Sequence, residues 1–355
     1  MIYINGRFFS QNITGVQRFA FETLVELDTL FSDVKFKVVI LLPSDIGFVP
    51  DFKFIEKKVV GRFRGHLWEQ LELPLFSRDG LLLNLCNSAP LLKRNQIVTI
   101  HDLAVFRCPL GFSFAFGTWY RVLFWFVSRF SRKILTVSEF SRLEILDVLR
   151  PAKEKMKVIS EGAGHIFRTD PDESVLERHG LAQRPFILAV SSLNPNKNFR
   201  CVVEAASLLE SFDYEFVIAG GTNPKVFRDS DLALPKNVKY IGYVTDAELR
   251  ALYEHAFAFV FPSFYEGFGL PPLEAMACGC PVILSDRSSL PEVGGEAALY
   301  CNPDDPADLA RQIQRLIADE ALRERCHLLG QKQAAKFTWS RGAEELGRTL
   351  EEFCK

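Results

Sequence analysis

The sequence predicts an α/β chain of two doubly wound parallel-sheet domains. Three observations carry this. Short apolar runs alternate with stretches of helical period along the whole chain, which is the order of repeated βαβ units. Glycine-containing loops stand between strand and helix in both halves. Residues 168–184, RTDPDESVLERHGLAQR, interrupt the alternation with a polar, charged linker, and 355 residues suffice for two domains of ordinary size. The expected division is 1–170, 171–338 and a last helix, 339–355.

Met1 to Ile4 reads as the first strand. A polar loop, Asn5 to Gly15, leads into a helix from Val16 to Phe31. Strand, glycine loop and helix open mononucleotide-binding domains, although the spacing here is not G-x-G-x-x-G. Arg18 on that helix reads as a solvated residue. Strands are expected at Lys37 to Leu42 and Leu81 to Leu85, with a helix from His66 to Phe76 between them. Ile97 to Ile100 is a further strand, ending in His101-Asp102. Residues at the carboxyl end of a parallel strand line the ligand crevice. There a histidine can donate to a hydroxyl or phosphate, and an aspartate can accept from an acceptor hydroxyl. The alternative is a histidine that caps the next turn.

Residues 110–132 are strongly aromatic, but Arg121 and Arg129 interrupt them, so no run is long enough to span a bilayer. A buried helix before the strand Lys133 to Val137 is the simplest expectation. An amphipathic face on a membrane surface is the alternative. Ser138 caps a helix to Leu149, and Val158-Ile159 is the next strand.

Pro185 to Val190 opens the second half as an apolar strand, followed by the loop Ser191 to Asn198. A lysine in such a loop, here Lys197, can neutralise a diphosphate. Glu215 to Ala219 and Val238 to Ile241 are strands; Tyr243 and Val244 follow the second, and Thr245 caps a helix with Asp246 and Glu248 in its first turn. Phe257 to Phe261 is a buried strand. Gly267 and Gly269 form a loop, Pro271 and Pro272 start a helix, and Gly279 ends it before the strand Pro281 to Leu284. The N–H groups of Phe268, Gly269 and Leu270 are expected to point at one anion, most simply a phosphate. Glu266 and Glu274, with seven residues between them, flank that point. They read either as acceptors for sugar and ribose hydroxyls, or as a solvated loop carboxylate and a first-turn carboxylate favoured by the helix dipole. Helices from Pro306 to Ala318, Ala321 to Phe337 and Trp339 to Cys354 complete the chain.

The string FYEGFGLPPLEAMACGCPV closely resembles the C-terminal signature of retaining glycosyltransferases of family 4, which have the GT-B fold. The resemblance implies two Rossmann-like doubly wound domains facing across a cleft. It gives Glu266 the donor sugar and Glu274 the ribose. It makes Lys197, in a loop ending Lys-Asn, the main cation on the diphosphate. Gly15 corresponds to a glycine loop near the donor phosphates, Tyr243 and Val244 to a loop bordering the base, and His101 to a histidine beside the donor sugar and reacting bond. Two positions depart from the pattern. Ser192 stands where many members carry an arginine, and Glu161 stands where the family usually has asparagine.

The implied reaction is transfer of a sugar from a nucleoside diphosphate to a saccharide or lipid-linked saccharide, with retention and without a metal or other cofactor. GDP-mannose is the first expectation, within cell-surface polysaccharide or lipopolysaccharide biosynthesis. A sugar-nucleotide epimerase and an inactive partner subunit of the same fold are the competing readings. A net charge of −2 gives no ground for nucleic-acid binding. The eight cysteines lack zinc spacing and read as reduced thiols. The opening MIYINGRFF is no secretory leader, so a cytoplasmic protein is expected, with possible peripheral contact at the cytoplasmic face of an inner membrane.

Overall fold

In the computed structural model, residues 1–33, 36–191, 194–221 and 235–353 are described. The chain divides into two compact units, Met1–Glu161 with Thr338–Lys355, and Gly162–Phe337.

The first unit is built on β1 (Ile2–Asn5), β2 (Val38–Leu42), β3 (Glu56–Val59), β4 (Leu81–Asn84), β5 (Gln96–Thr99), β6 (Lys133–Thr136) and β7 (Met156–Val158). Every neighbouring pair is parallel, in the order β3-β2-β1-β4-β5-β6-β7. The order reverses between β1 and β4. The carboxyl ends of the strands at that reversal are where ligands enter such sheets. Both faces of the sheet are covered, so the central strands IYIN, VVILL and LLLN are buried throughout and apolar except for Asn5 and Asn84 at the carboxyl ends of β1 and β4. One cluster packs Tyr3, Val39, Leu41 and Leu82 under Trp68 and Leu73; another packs Val98, Ile100 and Ile134 under Leu123, Phe124 and Val127. The helix Trp339–Glu352 lies against Gly15–Leu30 in this unit, with Trp339 edge-on to Phe19. A Cβ on Gly342 would come within 2.2 Å of the Ser160 carbonyl oxygen, so only glycine allows this helix so close.

The second unit repeats the design with β8 (Phe186–Val190), β9 (Glu215–Ala219), β10 (Val238–Gly242), β11 (Ala258–Phe261), β12 (Val282–Ser285) and β13 (Leu299–Cys301). The order is β10-β9-β8-β11-β12-β13, again parallel, with the reversal between β8 and β11. Ile187, Phe216, Ile218, Val260 and Ile283 meet Val202, Ala206, Leu309 and Ile313 from the helices in one core.

Four features differ from the sequence reading. The boundary falls at Glu161/Gly162, ahead of the polar stretch, because residues 164–167 pack on the second unit: His165 bonds Glu274, and Phe167 lies under Arg250. β3 is an additional strand. Its sequence, EKKV, is exposed at every position, so it carries no apolar alternation; its charges suit a sheet edge. The segment from Gly65 to Phe76 is helical but includes a π turn at Trp68–Glu72, which turns both Trp68 and Glu69 inward. The aromatic helix, Phe114–Phe130, is buried on one face only: Leu123, Phe124 and Val127 pack inward, while Phe114, Phe116, Val122, Trp125, Phe126 and Phe130 face out. Among the described residues no helix is long and apolar enough to cross a membrane. The seven described cysteines are free thiols; Cys354 lies outside the described residues.

Candidate functional site

The carboxyl ends of β8 and β11 flank the reversal point of the second sheet, and two loops meet there. The turn Pro195–Lys197 follows β8, and the loop from Pro262 to Gly269 follows β11. Asn196 ties the loops together: its side chain donates to the Tyr265 carbonyl (3.1 Å), and its own carbonyl accepts from Phe264 N–H (2.8 Å). Asn198, in the left-handed region at φ 57°, caps the next helix and donates to the carbonyls of Pro262 and Pro303. These bonds hold Lys197 against Glu266. Lys197 Nζ lies 2.8 and 2.7 Å from the two Glu266 oxygens, with both side chains largely withdrawn from water. Lys197 also sits over the Phe261 ring.

The Glu266 loop is braced from behind. Glu266 N–H donates to Ser288 Oγ (3.1 Å), and the buried Ser289 hydroxyl lies against the Glu266 and Phe268 carbonyls. Gly269 takes φ 121° as the N-cap of the helix Leu270–Ala277, a conformation that side chains oppose. Pro271 follows in the first turn. Among the described residues, no protein acceptor takes the N–H groups of Phe268, Gly269 or Leu270. A buried loop thus presents three unpaired donors at a helix N-terminus beside a lysine, an arrangement that favours an anion.

Glu274 lies one turn into this helix, 6% exposed. His165 Nε2 is 2.8 Å from its Oε1, and the Tyr253 hydroxyl donates to Oε2 at 3.1 Å. Burial first, and the Glu274 carboxylate second, push the Tyr253 phenol well above its usual range, so it remains a donor. Each carboxylate oxygen can accept a second bond, so Glu274 is oriented without being saturated.

Tyr243 and Val244 follow β10 at the sheet edge, and Tyr243 is exposed. Ser192 lies outside the described residues.

In the first unit, Gly15 is the exposed first residue of the helix Gly15–Leu30, and a Cβ there would meet nothing within 4 Å. Packing does not require glycine at this position. Arg18 is not simply solvated; it pairs with the buried Glu22 at 3.7 Å. His101 follows β5 and is buried. Its Nε2 lies 2.9 Å from the Leu85 carbonyl, which can only accept, so the ring proton sits on Nε2. Nδ1 is 4.0 Å from a Glu161 carboxylate oxygen, and Phe19 meets the ring edge-on. Asp102 accepts from Ala104 N–H at 2.8 Å, which fixes the turn after the strand.

Burial pushes the His101 pKa down to about 4, against a smaller opposing effect of the Leu85 carbonyl. The unfolded chain therefore binds a proton that the folded chain refuses between about pH 6.5 and 4. Stability should be complete above this window and fall as the pH drops through it, by an amount of order 3 kcal/mol. Urea titrations at pH 7 and pH 4.5 test this. His101→Asn should show a shallower pH dependence than the unsubstituted chain, and equal slopes would refute the linkage.

At the reversal point of the first sheet, a buried network joins β1, β4 and the π turn. Glu69 Oε1 accepts from Asn5 (2.8 Å), Arg7 (3.2 Å) and Ser88 (2.8 Å), and His66 lies 3.3 Å from Oε2. Burial raises the Glu69 pKa, but His66, Arg7, Asn5 and Ser88 together outweigh it and hold the carboxyl below its ordinary value.

The structure thus brings Lys197, Glu266 and the following amides together and sets Glu274 on the helix they open. Sequence reasoning missed His165, Tyr253, Asn196, Ser288 and Ser289. Of these, only Asn196, adjoining Lys197, lay in a motif that drew attention. Among the described residues, no group of three or more His, Cys, Asp or Glu converges as a metal site.

The family profile described as Glycosyl transferases group 1 matches residues 173–333. The chain is 34% identical over 258 residues to O-antigen chain mannosyltransferase B of Escherichia coli, covering 68% of this chain and 66% of that protein. It is 33% identical over 225 residues to the serotype-specific mannosyltransferase WbdA of Escherichia coli, covering 59% of this chain but only 27% of that longer protein. The structure of HepE from Anabaena in complex with UDP-glucose superposes with a TM-score of 0.75 over 99% of both chains at 16% identity, a likeness of fold. With two doubly wound sheets, the Glu266 loop and these relatives in hand, the chain belongs to the group 1 glycosyltransferases and has the GT-B fold.

Proposed function

We propose that the chain is a retaining glycosyltransferase that moves a hexosyl group, mannose from GDP-mannose in the first instance, to a saccharide or lipid-linked saccharide. Cell-surface polysaccharide synthesis on the cytoplasmic side is the proposed setting. The observation that carries this reading is the Lys197–Glu266 pair beside three unpaired amides at the reversal point of the second sheet. When the bond from the anomeric carbon to the diphosphate breaks, negative charge grows on the leaving oxygens. Lys197 and the N–H groups of Phe268, Gly269 and Leu270 are placed to stabilise it without reorganising. Glu266 is the acceptor for donor-sugar hydroxyls, and Glu274, aligned by His165 and Tyr253, for the ribose. Tyr243 and Val244 are proposed at the base. His101 would meet the sugar as a neutral ring whose Nδ1 accepts a hydrogen bond, and Asp102 would accept from the incoming hydroxyl, whose attack on the leaving face accounts for retention. The proposal includes no metal. The mannose preference is supported by identity to the two mannosyltransferases.

A thermal-shift panel with GDP, UDP, dTDP and ADP, each with and without EDTA, tests the donor site. A nucleotide at a hundredfold excess over its Kd stabilises by about 2.7 kcal/mol. The expected result is a shift with GDP that EDTA leaves unchanged and Glu274→Ala abolishes, together with mannose transfer from GDP-mannose in EDTA. A shift with UDP alone would move the donor to a UDP-sugar. No shift with any nucleotide at millimolar concentration would remove the reading.

A further inference from the structure

We infer that Glu161 acts beside His101 as a specificity-determining residue: the two side chains accept from a pair of adjacent hydroxyls on the transferred hexose. Sugar transfer as proposed above is the premise, and Glu161 is new to it, at a position where this sequence departs from the family pattern.

Both residues stand at the carboxyl edge of the first sheet, the side on which such sheets take their ligands. His101 follows β5, which ends at Thr99, and Glu161 follows β7, which ends at Val158. Each is buried, and Glu161 Oε1 lies 4.0 Å from His101 Nδ1, too far for a hydrogen bond between them. The ring does not need the carboxylate to hold it. Its Nε2 donates to the Leu85 carbonyl at 2.9 Å, the His101 backbone N–H donates to Asn87 Oδ1 at 2.8 Å, and Phe19 packs edge-on at 4.9 Å between centroids. A carboxylate is costly to bury, and here it is not spent on fixing the histidine.

With its proton on Nε2, the ring turns the Nδ1 lone pair toward Glu161, and the carboxylate turns a lone pair back. Two acceptors that face each other in a buried place each forgo a hydrogen bond unless donors lie between them. The ring does not settle this by taking a second proton near neutral pH, because burial pushes its pKa down to about 4. A proton on Glu161 does not settle it either, since 4.0 Å is beyond its reach. The spacing suits two hydroxyl oxygens, each within hydrogen-bond distance of one acceptor, and neighbouring hydroxyls of a pyranose are such a pair. Residue type points the same way. An asparagine, usual in the family at this position, could donate to Nδ1 through its amide; glutamate as a carboxylate only accepts, so the hydrogen for Nδ1 has to come from the ligand. Glu161 has further interactions of its own, and a carboxylate offers about four acceptor sites, so the oxygen facing the ring can still accept.

Titration calorimetry with deoxy donors tests the contact. The ligands are the free nucleotide that the thermal-shift panel selects, GDP in the first instance, its mannose conjugate, and the 2-, 3-, 4- and 6-deoxy forms of that conjugate. In the unsubstituted chain, removing either of two neighbouring hydroxyls should weaken binding about 10-fold or more. In Glu161→Met, one of those two penalties should shrink to less than about twofold, because that hydroxyl has already lost its partner, while the free nucleotide binds as before. Glu161→Gln keeps an acceptor oxygen and should fall between. Glu161→Asn, whose amide can donate to Nδ1, should lessen both penalties and gives the comparison if the methionine variant does not fold. A merely structural Glu161, or one bridged to His101 by a water, would leave every deoxy penalty unchanged in all three variants, and that result overturns the assignment while leaving sugar transfer standing. Failure of the unsubstituted chain to bind any of the nucleotides would instead remove the sugar-transfer reading, and the role of Glu161 with it.

Discussion

Lys197→Met is expected to lower kcat by about 10²–10³-fold, the usual cost of removing one preorganised donor from a developing oxyanion. Part of the loss has a second origin. Glu266 is 8% exposed, and its two oxygens both rest on Lys197. Without the ammonium, the carboxylate is left in a dry loop, which costs about 1–3 kcal/mol of stability or forces the group to take up a proton. The two effects separate in the double variant Lys197→Met with Glu266→Gln. It no longer buries an unpaired charge and should recover most of the lost stability, while kcat stays low. Single-turnover transfer from GDP-mannose, measured well below the unfolding transition, reads the chemistry; urea denaturation reads the stability. Undiminished turnover in Lys197→Met would mean that the diphosphate is not neutralised here, and the site assignment would fall.

Glu69→Ala is expected to destabilise the first unit by about 3–5 kcal/mol, because it leaves the Arg7 guanidinium buried without its partner. The same change removes the acceptor of Asn5 and Ser88. Glu69→Gln keeps an oxygen for one of these donors and should cost less. Glu69→Leu combined with Arg7→Met, which replaces the pair by apolar groups, should recover part of the loss, since exchanging a buried pair for well-packed side chains is often neutral. Calorimetry is the suitable measurement, because the two units can unfold separately and a single midpoint would average them. Only the transition of the first unit should move; a drop of less than about 1 kcal/mol would show that the network is dispensable.

Much of the fold was legible in the residues. Runs such as VVILL and FILAV are apolar at every position because strands of a covered parallel sheet are buried on both faces. EGFGLPPLEAM marked a loop and helix start through its glycines and prolines, whose backbone preferences are local. The EKKV strand was not legible, since an edge strand needs no apolar side.

By itself, then, the sequence determined the α/β alternation and the glycine loop that opens a helix, because these follow from local preference, and it pointed to Lys197, Glu266 and Glu274 through the resemblance of the strings around them to a known family. Only the tertiary structure decided the company they keep. His165 and Glu274 are 109 residues apart, and Ser289 reaches back 23 residues to the Glu266 carbonyl. It also decided that an aromatic helix faces outward. Periodicity tells which sides of a helix are apolar, but what covers each side depends on how strands distant in sequence pair, and that is a property of the assembled sheet.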